Sequence, residues 1–346
     1  MERLTIVGRL RPSGAHGRYR LPPGTGFAPL PYYESLAAPL AAGRAMVSSL
    51  VGFWRALDDV DACWLLGPHP LAIAFAAIAL ARRRRVFLGV RQDLPEYVRR
   101  RHPGRRSLAI AAQVLDLVYR GLARRCRTVV VGPALAERYR ASGVLEIAVS
   151  LVEADDIVTS DEALGRSYEG EVTILSVGRL EEEKNPLMLA DVLTRLVNED
   201  GSWRLVVCGE GPLEAALRAR LETLGMADRS ELAGYVEHGP AMLRRYRNAH
   251  FLLHPSRTEG LPQVMVEALA AGLPIVATDV GGVGAALGDA VRLVASEDVE
   301  GAARALRSLA EDRDSRERMV ARGLEYARRH TLDTEVDRVV AFFASA

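Results

Sequence analysis

Residues 250–279 read HFLLHPSRTEGLPQVMVEALAAGLPIVATD. The run 250–256 is short and largely apolar and ends at Ser256, which suits a strand buried on both faces. A polar loop follows, Arg257-Thr258-Glu259-Gly260. Pro262 then marks the first turn of a helix over 262–271, and Gly272 marks its stop. A second apolar run, 274–279, predicts another strand. Strand, helix and strand in so few residues make a parallel β–α–β unit, and such sheets bind ligands beyond the carboxyl ends of their strands. Glu259 is thus placed in the loop at the positive end of the helix, beside the N–H groups of Gly260 and Leu261. Glu267 falls about five residues inside, roughly 7–8 Å along the axis.

The same alternation extends in both directions. Upstream in the second half, strands are predicted over 173–179, 203–209 and 231–236, with helices near 186–199, 212–224 and 239–248. Helices over 300–311 and 313–329 follow the quoted unit. The first half predicts strands over 5–10, 27–33, 62–67, 85–90, 128–132 and 146–152, with helices over 34–57, 70–83, 106–125 and 133–142. The expectation is an α/β chain built from two Rossmann-like domains, 1–165 and 166–330. They are joined through the polar stretch 153–171. A last helix, about 333–344 within 331–346, follows a break at His330-Thr331 and would return to the first domain.

Composition narrows the function classes. The chain has 346 residues, 49% hydrophobic and 26% charged, an ordinary globular balance. Cys63, Cys126 and Cys208 show no metal or disulfide spacing, which fits a reducing cytoplasm. The start carries no signal-peptide pattern. The longest apolar run, 70–81, is short of the roughly 20 residues that span a bilayer. Residues 1–160 hold 23 Arg against 13 acids, a net +10, whereas 161–346 hold 21 Arg and one Lys against 31 acids, a net −9. That lone lysine is Lys184 among 44 arginines. It is either an accident of an Arg-rich composition or a position that needs a compact ammonium.

Three further loops after predicted strands hold candidate residues. Gly178-Arg179-Leu180-Glu181-Glu182-Glu183-Lys184-Asn185-Pro186 brings two cations beside a helix start, which suits a diphosphate. The bland alternative is a solvated charged turn. Gly209-Glu210-Gly211-Pro212 allows a tight strand-to-helix turn, as any α/β turn does. Gly234-Tyr235-Val236 offers backbone groups to a base edge, or is an ordinary strand end.

In this order the motifs GR-x4-K, GEGP and PS-x2-EGLPQVMVEALAAGLPIVATDVGG resemble glycosyltransferase family 4, the retaining enzymes of the GT-B fold, over residues 170–330. The resemblance implies two Rossmann-like domains facing across a cleft, with the donor, a nucleoside diphosphate sugar, in the second. Arg179 and Lys184 would bind the donor diphosphate, Glu259 would face the donor sugar and Glu267 would hold the ribose. With Arg179 and Lys184, Glu259 makes the expected catalytic set. Gly260 and Leu261 would take the departing phosphate, with Tyr235 and Val236 near the base. Gly178, Gly209, Gly211 and Ser256 complete the donor-binding expectation. No cofactor and no metal is expected, since fixed cations and a helix dipole stabilise the leaving diphosphate. The triplets Asp59-Val60-Asp61 and Asp312-Arg313-Asp314 are read as structural.

The sequence departs from that family in places. Ala285 stands where the resemblance implies a glutamate. The first half lacks a strand, glycine pair and helix at its opening. Pro12-Ser13-Gly14 and Pro23-Gly24-Thr25-Gly26 sit in loops without a following helix. The strand over 5–10 therefore reads as the family's second, and the chain as starting one β–α unit late. No histidine follows the strand over 85–90, so His69, Gln92 and Asp93 are the acceptor-side candidates. Arginine clusters at 82–85, 99–101, 105–106 and 124–127 suit an anionic membrane surface or, equally, a solvated basic face. The expected partners are the nucleotide-sugar donor and a glycan or lipid-linked acceptor, with no nucleic acid. The expected place is the cytoplasm, either free or peripheral at the inner face of the membrane. A non-catalytic nucleotide-sugar-binding subunit is the rival reading. A nicotinamide dehydrogenase would need a GxGxxG that neither half has.

Overall fold

The structure, a computed structural model, describes residues 3–9, 21, 23–32, 39–102, 104–141 and 143–345. The 12–14 loop considered above lies outside them. Twelve strands run along the described chain: β1 Thr5–Arg9, β2 Gly26–Leu30, β3 Ala62–Gly67, β4 Arg85–Val90, β5 Arg127–Val131, β6 Val144–Ile147, β7 Val172–Val177, β8 Trp203–Cys208, β9 Ser230–Gly234, β10 Phe251–His254, β11 Ile275–Thr278 and β12 Arg292–Val294. They form a parallel pair β1-β2, a four-stranded sheet in the order β3-β4-β5-β6 and a six-stranded sheet in the order β12-β11-β10-β7-β8-β9. The six-stranded sheet is parallel throughout, with helices between successive strands. This is the expected α/β class.

The chain forms two compact units. One comprises residues 1–90, 114–128 and 141–143, and the other residues 91–113, 129–140 and 144–346. In the larger unit, neighbouring strand residues point to opposite faces of the sheet and so build two cores. Leu175, Val206, Leu252 and Ile275 pack with Met265, Leu269 and Tyr246 on one face. Ile174, Leu205, Val207 and Leu253 pack with Leu189, Leu193 and Leu306 on the other. Strands β10 and β11 are buried at every position, which explains why they read as unbroken apolar runs. The helix Arg313–Arg329 crosses Gln263–Ala270 at Gly323, where a Cβ would come within 2.7 Å of Leu269 Cδ2. In the smaller unit, Phe53 stacks on Phe75 at 4.0 Å and the Tyr119 hydroxyl donates to the Leu65 carbonyl at 2.8 Å.

Several elements differ from expectation. The strand expected over 146–152 ends at Ile147. Ala148, Ser150 and Val152 remain buried, and the Val152 carbonyl accepts from Leu332 N instead of a neighbouring strand. An unexpected helix, Leu94–Arg101, carries three arginines and buries only Pro95, so it lacks the apolar period that announces a helix. Its N-terminus is held by Asp93. The polar stretch 153–171 contains the helix Ser160–Leu164, closed by a reciprocal cap between Thr159 and Glu162, with Ala163 packed against Val158, Val320 and Leu324. The last helix, Leu332–Ala344, is capped by Thr331, and its Arg338 donates to the Glu146 carbonyl of β6 at 2.7 Å. No helix among the described residues is long and apolar enough to cross a membrane.

Candidate active site

The carboxyl ends of β7, β8 and β10 bring the informative loops together. The loops after β7 and β8 meet at backbone level. A Cβ on Gly209 (φ 154°) would lie 1.8 Å from the Gly178 carbonyl oxygen, and one on Gly211 would lie 2.4 Å from that of Leu180. Leu180 N donates to the Glu210 carbonyl at 2.9 Å and Gly209 N to the Gly234 carbonyl at 2.7 Å. These glycines are therefore needed for the loops to pack on one another. The loop after β10 is held in the same way. Gly281 adopts φ 59°, and a Cβ there would lie 1.9 Å from the Glu259 carbonyl oxygen, while one on Gly260 would lie 2.8 Å from that of Arg91.

On this floor sits a cluster of charged side chains. Lys184 Nζ pairs with Glu259 Oε1, and His254 Nε2 lies 2.7 Å from the same oxygen. Ser256 Oγ is 2.9 Å from His254 Nε2, and Thr278 Oγ1 donates to the Ser256 carbonyl at 2.5 Å. Burial pushes the Glu259 carboxyl up, but the His254 hydrogen bond and the charges of His254 and Lys184 outweigh it and hold the pKa at about 2. Lys184 is aimed there by the short 3-10 turn Glu182–Lys184 and by Asn185, buried in the left-handed region at φ 49°. A small pocket is lined by Gly178, Arg179, Lys184, His254 and Ser256.

Arg179 is exposed and bonds to Glu181 at 2.7 Å and to Glu183 at 3.1 Å. Glu183 is buried and also accepts from Arg101 at 2.6 Å, so the helix Leu94–Arg101 braces this loop. Arg257 ties the β10 loop to it, donating through its backbone N to the Glu183 carbonyl at 2.8 Å.

Glu267 occupies a different environment. It is buried in the helix Gln263–Ala270, accepting from the Tyr246 hydroxyl and from Gln263 Nε2, both at 2.8 Å. Its Oε1 lies 3.6 Å from His238 Nδ1. Burial, followed by the Glu267 charge, drives the Tyr246 hydroxyl well above its ordinary pKa, which keeps it a proton donor. Tyr235 and Val236 lie in the loop after β9 that also carries His238, and Tyr235 N donates to Glu210 Oε1 at 3.4 Å. Leu261 is buried with Val131 and Met265. The structure therefore brings Lys184, Glu259, Ser256, Gly178 and Arg179 together. It sets Glu267 beside the loop after β9.

The other candidates have local partners. His69 caps the helix Pro70–Ala81, its Nδ1 accepting from Leu71 N at 3.1 Å. Burial and then the charge of Arg9 lower its pKa. Asp93 accepts from Glu96 N at 3.0 Å and pairs with Arg138 at 3.1 Å, and Gln92 is exposed. Asp312 accepts from Ser315 N and Oγ as the cap of Arg313–Arg329. Ala285 is exposed on the short helix Val283–Leu287. Among the described residues no group of three or more His, Cys, Asp or Glu is placed to hold a metal ion. Sequence reading missed His254, Gln263 and Tyr246. His254 ends an apolar strand and reads as core, and the other two gain meaning only from their contacts with Glu267.

Residues 160–326 match the family described as Glycosyl transferases group 1. Over 112 residues the chain is 36% identical to the phosphatidylinositol N-acetylglucosaminyltransferase gpi3 subunit of Schizosaccharomyces pombe, a match covering 32% of this chain and 24% of that protein. The chain thus spans about a quarter of that relative's length. It is 29% identical over 289 residues to glycogen synthase of Mycobacterium tuberculosis, covering 81% of this chain and 68% of that one. Anabaena HepE, solved in complex with UDP-glucose, superposes with a TM-score of 0.69 at 15% identity, covering 99% of this chain and 100% of HepE. At that identity the likeness is one of fold, and the fold is that of the GT-B glycosyltransferases.

Proposed function

We propose, from the premise that residues 160–326 belong to the glycosyl transferases group 1 family, that this chain is a retaining family 4 glycosyltransferase. It moves a hexosyl group from a UDP- or GDP-sugar to an acceptor hydroxyl in the assembly of a cell-surface polysaccharide or glycolipid. The observation that carries this reading is Lys184 paired with Glu259, its side chain 9% exposed, on the glycine floor at the ends of β7, β8 and β10. Lys184 and Arg179 take up the charge that grows on the leaving diphosphate, without a metal ion. Glu259 faces the donor sugar, and Glu267 reaches the ribose. The transferred sugar keeps its anomeric configuration because the acceptor enters on the face the nucleotide leaves, its proton passing to the diphosphate oxygen. The basic first half, net +10 over residues 1–160, supports work at an anionic membrane surface with a lipid-linked acceptor. His69, Gln92 and Asp93 remain the acceptor-side candidates, although His69 and Asp93 already serve as helix caps.

The test is a thermal-shift screen of nucleoside diphosphates and their sugars on wild type and Lys184→Ala, followed by transfer assays with lipid acceptors. Wild type is expected to respond to UDP or GDP, and Lys184→Ala to respond weakly. No response in the wild type defeats the reading. A nucleotide response without donor turnover favours a non-catalytic binding subunit.

A further inference from the structure

The helix Arg106–Ala123 is packed inside out. Its buried positions are Ala112, Asp116, Tyr119 and Ala123, spaced four, three and four residues apart along one face. Ile110 (60% exposed), Val114 (55%), Leu117 (59%) and Val118 (43%) recur at the same helical spacing and are turned to solvent. An ordinary surface helix hides its branched aliphatics and shows its small and polar residues. Here a single acid, Asp116, is buried, with the partly exposed Arg120 at 3.0 Å, and the large apolar groups form a stripe about 12 Å long at 1.5 Å per residue. Exposed arginines bracket the stripe, with Arg106 one turn before Ile110 and Arg124 and Arg125 just beyond the helix end. Residues 105–125 contain no acid besides Asp116.

We propose that this stripe is the face by which the chain lies on an anionic lipid surface. The inference rests on the membrane part of the proposed function and gives it a place. Ile110, Val114, Leu117 and Val118 enter the boundary between headgroups and acyl chains, and Arg106, Arg124 and Arg125 meet lipid phosphates at either end. Burying branched aliphatics provides a non-directional attraction, and the arginines add one that depends on anionic lipid and salt. Charge argues against a second copy as the occupant. A self-complementary contact on this stripe sets arginine ends against arginine ends in either direction, with no acid of the helix but the buried Asp116 to meet them.

Flotation of the full chain with phosphatidylcholine vesicles, with and without phosphatidylglycerol, tests the proposal. Wild type is expected to float with the anionic vesicles and to be released by high salt. Val114→Glu combined with Leu117→Glu is expected to weaken that binding about tenfold or more. Arg106→Glu combined with Arg124→Glu is expected to remove its salt-sensitive part. Both pairs change exposed positions, and an unchanged melting temperature without ligand verifies that the variants are folded. No flotation of wild type, or equal flotation of wild type and the Val114/Leu117 variant, overturns the proposal. A lipid-free wild-type dimer that Val114→Glu converts to monomer overturns it too and assigns the stripe to a second copy. Loss of any nucleotide response in wild type defeats the transferase reading and leaves the flotation result standing.

Discussion

Glu259 and Glu267 stand eight residues apart on either side of one helix start, the first partly buried and the second buried, and their surroundings have little in common. Glu259 meets an ammonium and an imidazole. Glu267 meets a phenol and an amide, with an imidazole at 3.6 Å. The first arrangement is held by charge, so its partners stay together while their charges match. The second is held mainly by hydrogen bonds from neutral donors to the carboxylate, each worth roughly 1.5–3 kcal/mol net and costly if one partner is left buried alone. A site that must receive a charged ligand needs the first kind of chemistry, because charged partners can be exchanged. A site that must keep a fixed acceptor for hydroxyls needs the second.

The sharpest way to break the contrast is Lys184→Ala, predicted to lower transfer about 100-fold or more, as loss of one charge-stabilising donor does. Lys184→Arg should recover only part of this, because a planar guanidinium does not reproduce a compact ammonium. Comparing kcat/KM of the three proteins checks it.

Acid titration gives the next effect. The Glu259 pKa of about 2 lies below the ordinary 4.5, so ionised Glu259 stabilises the fold above pH 4.5. That contribution, on the order of 3 kcal/mol, is lost as pH falls toward 2. Urea melts across this range should show an acid limb that Glu259→Gln flattens. An unchanged limb would mean that the ion pair does not hold the fold.

Tyr246→Phe is a smaller perturbation. It removes the hydroxyl from Glu267 and leaves Gln263 as its hydrogen-bond donor, at a predicted cost of about 1.5–3 kcal/mol read as a lower Tm. The nucleotide response should weaken less than in Lys184→Ala. Smallest of all, Gln263→Ala is expected to cost about 1.5 kcal/mol, since the Tyr246 bond remains.

The loops of the second half were legible because most elements there announce themselves, the strand Arg292–Val294 and the helix Val283–Leu287 excepted. Buried parallel strands read as apolar runs, and glycine with charge at a strand end reads as a ligand loop. What escaped was whatever depends on contact. His254 closes the apolar run of β10, and no pattern says that its ring turns toward Glu259. The helix Leu94–Arg101 has no apolar period because it buries only Pro95. The inverted helix Arg106–Ala123 shows the limit of periodicity most clearly. Spacing reveals a stripe at 110, 114, 117 and 118 but not whether the stripe faces in or out, since both faces share one period. That choice was made by Tyr119 and Asp116, which took the interior.

Lys184 is paired with Glu259, which makes this site a poor trap for stray anions. A free phosphate that took the lysine would leave the Glu259 carboxylate with His254 alone and gain one partner for the loss of another. A larger anion, anchored elsewhere through its base and ribose, can make that exchange profitably and hand Glu259 a new neighbour. Discrimination against inorganic phosphate would then come from the pre-existing pair and not from the shape of a pocket. Competition by phosphate against UDP in Glu259→Gln, compared with wild type, measures how much of that discrimination the carboxylate supplies. Equal competition in the two proteins would show that it supplies none.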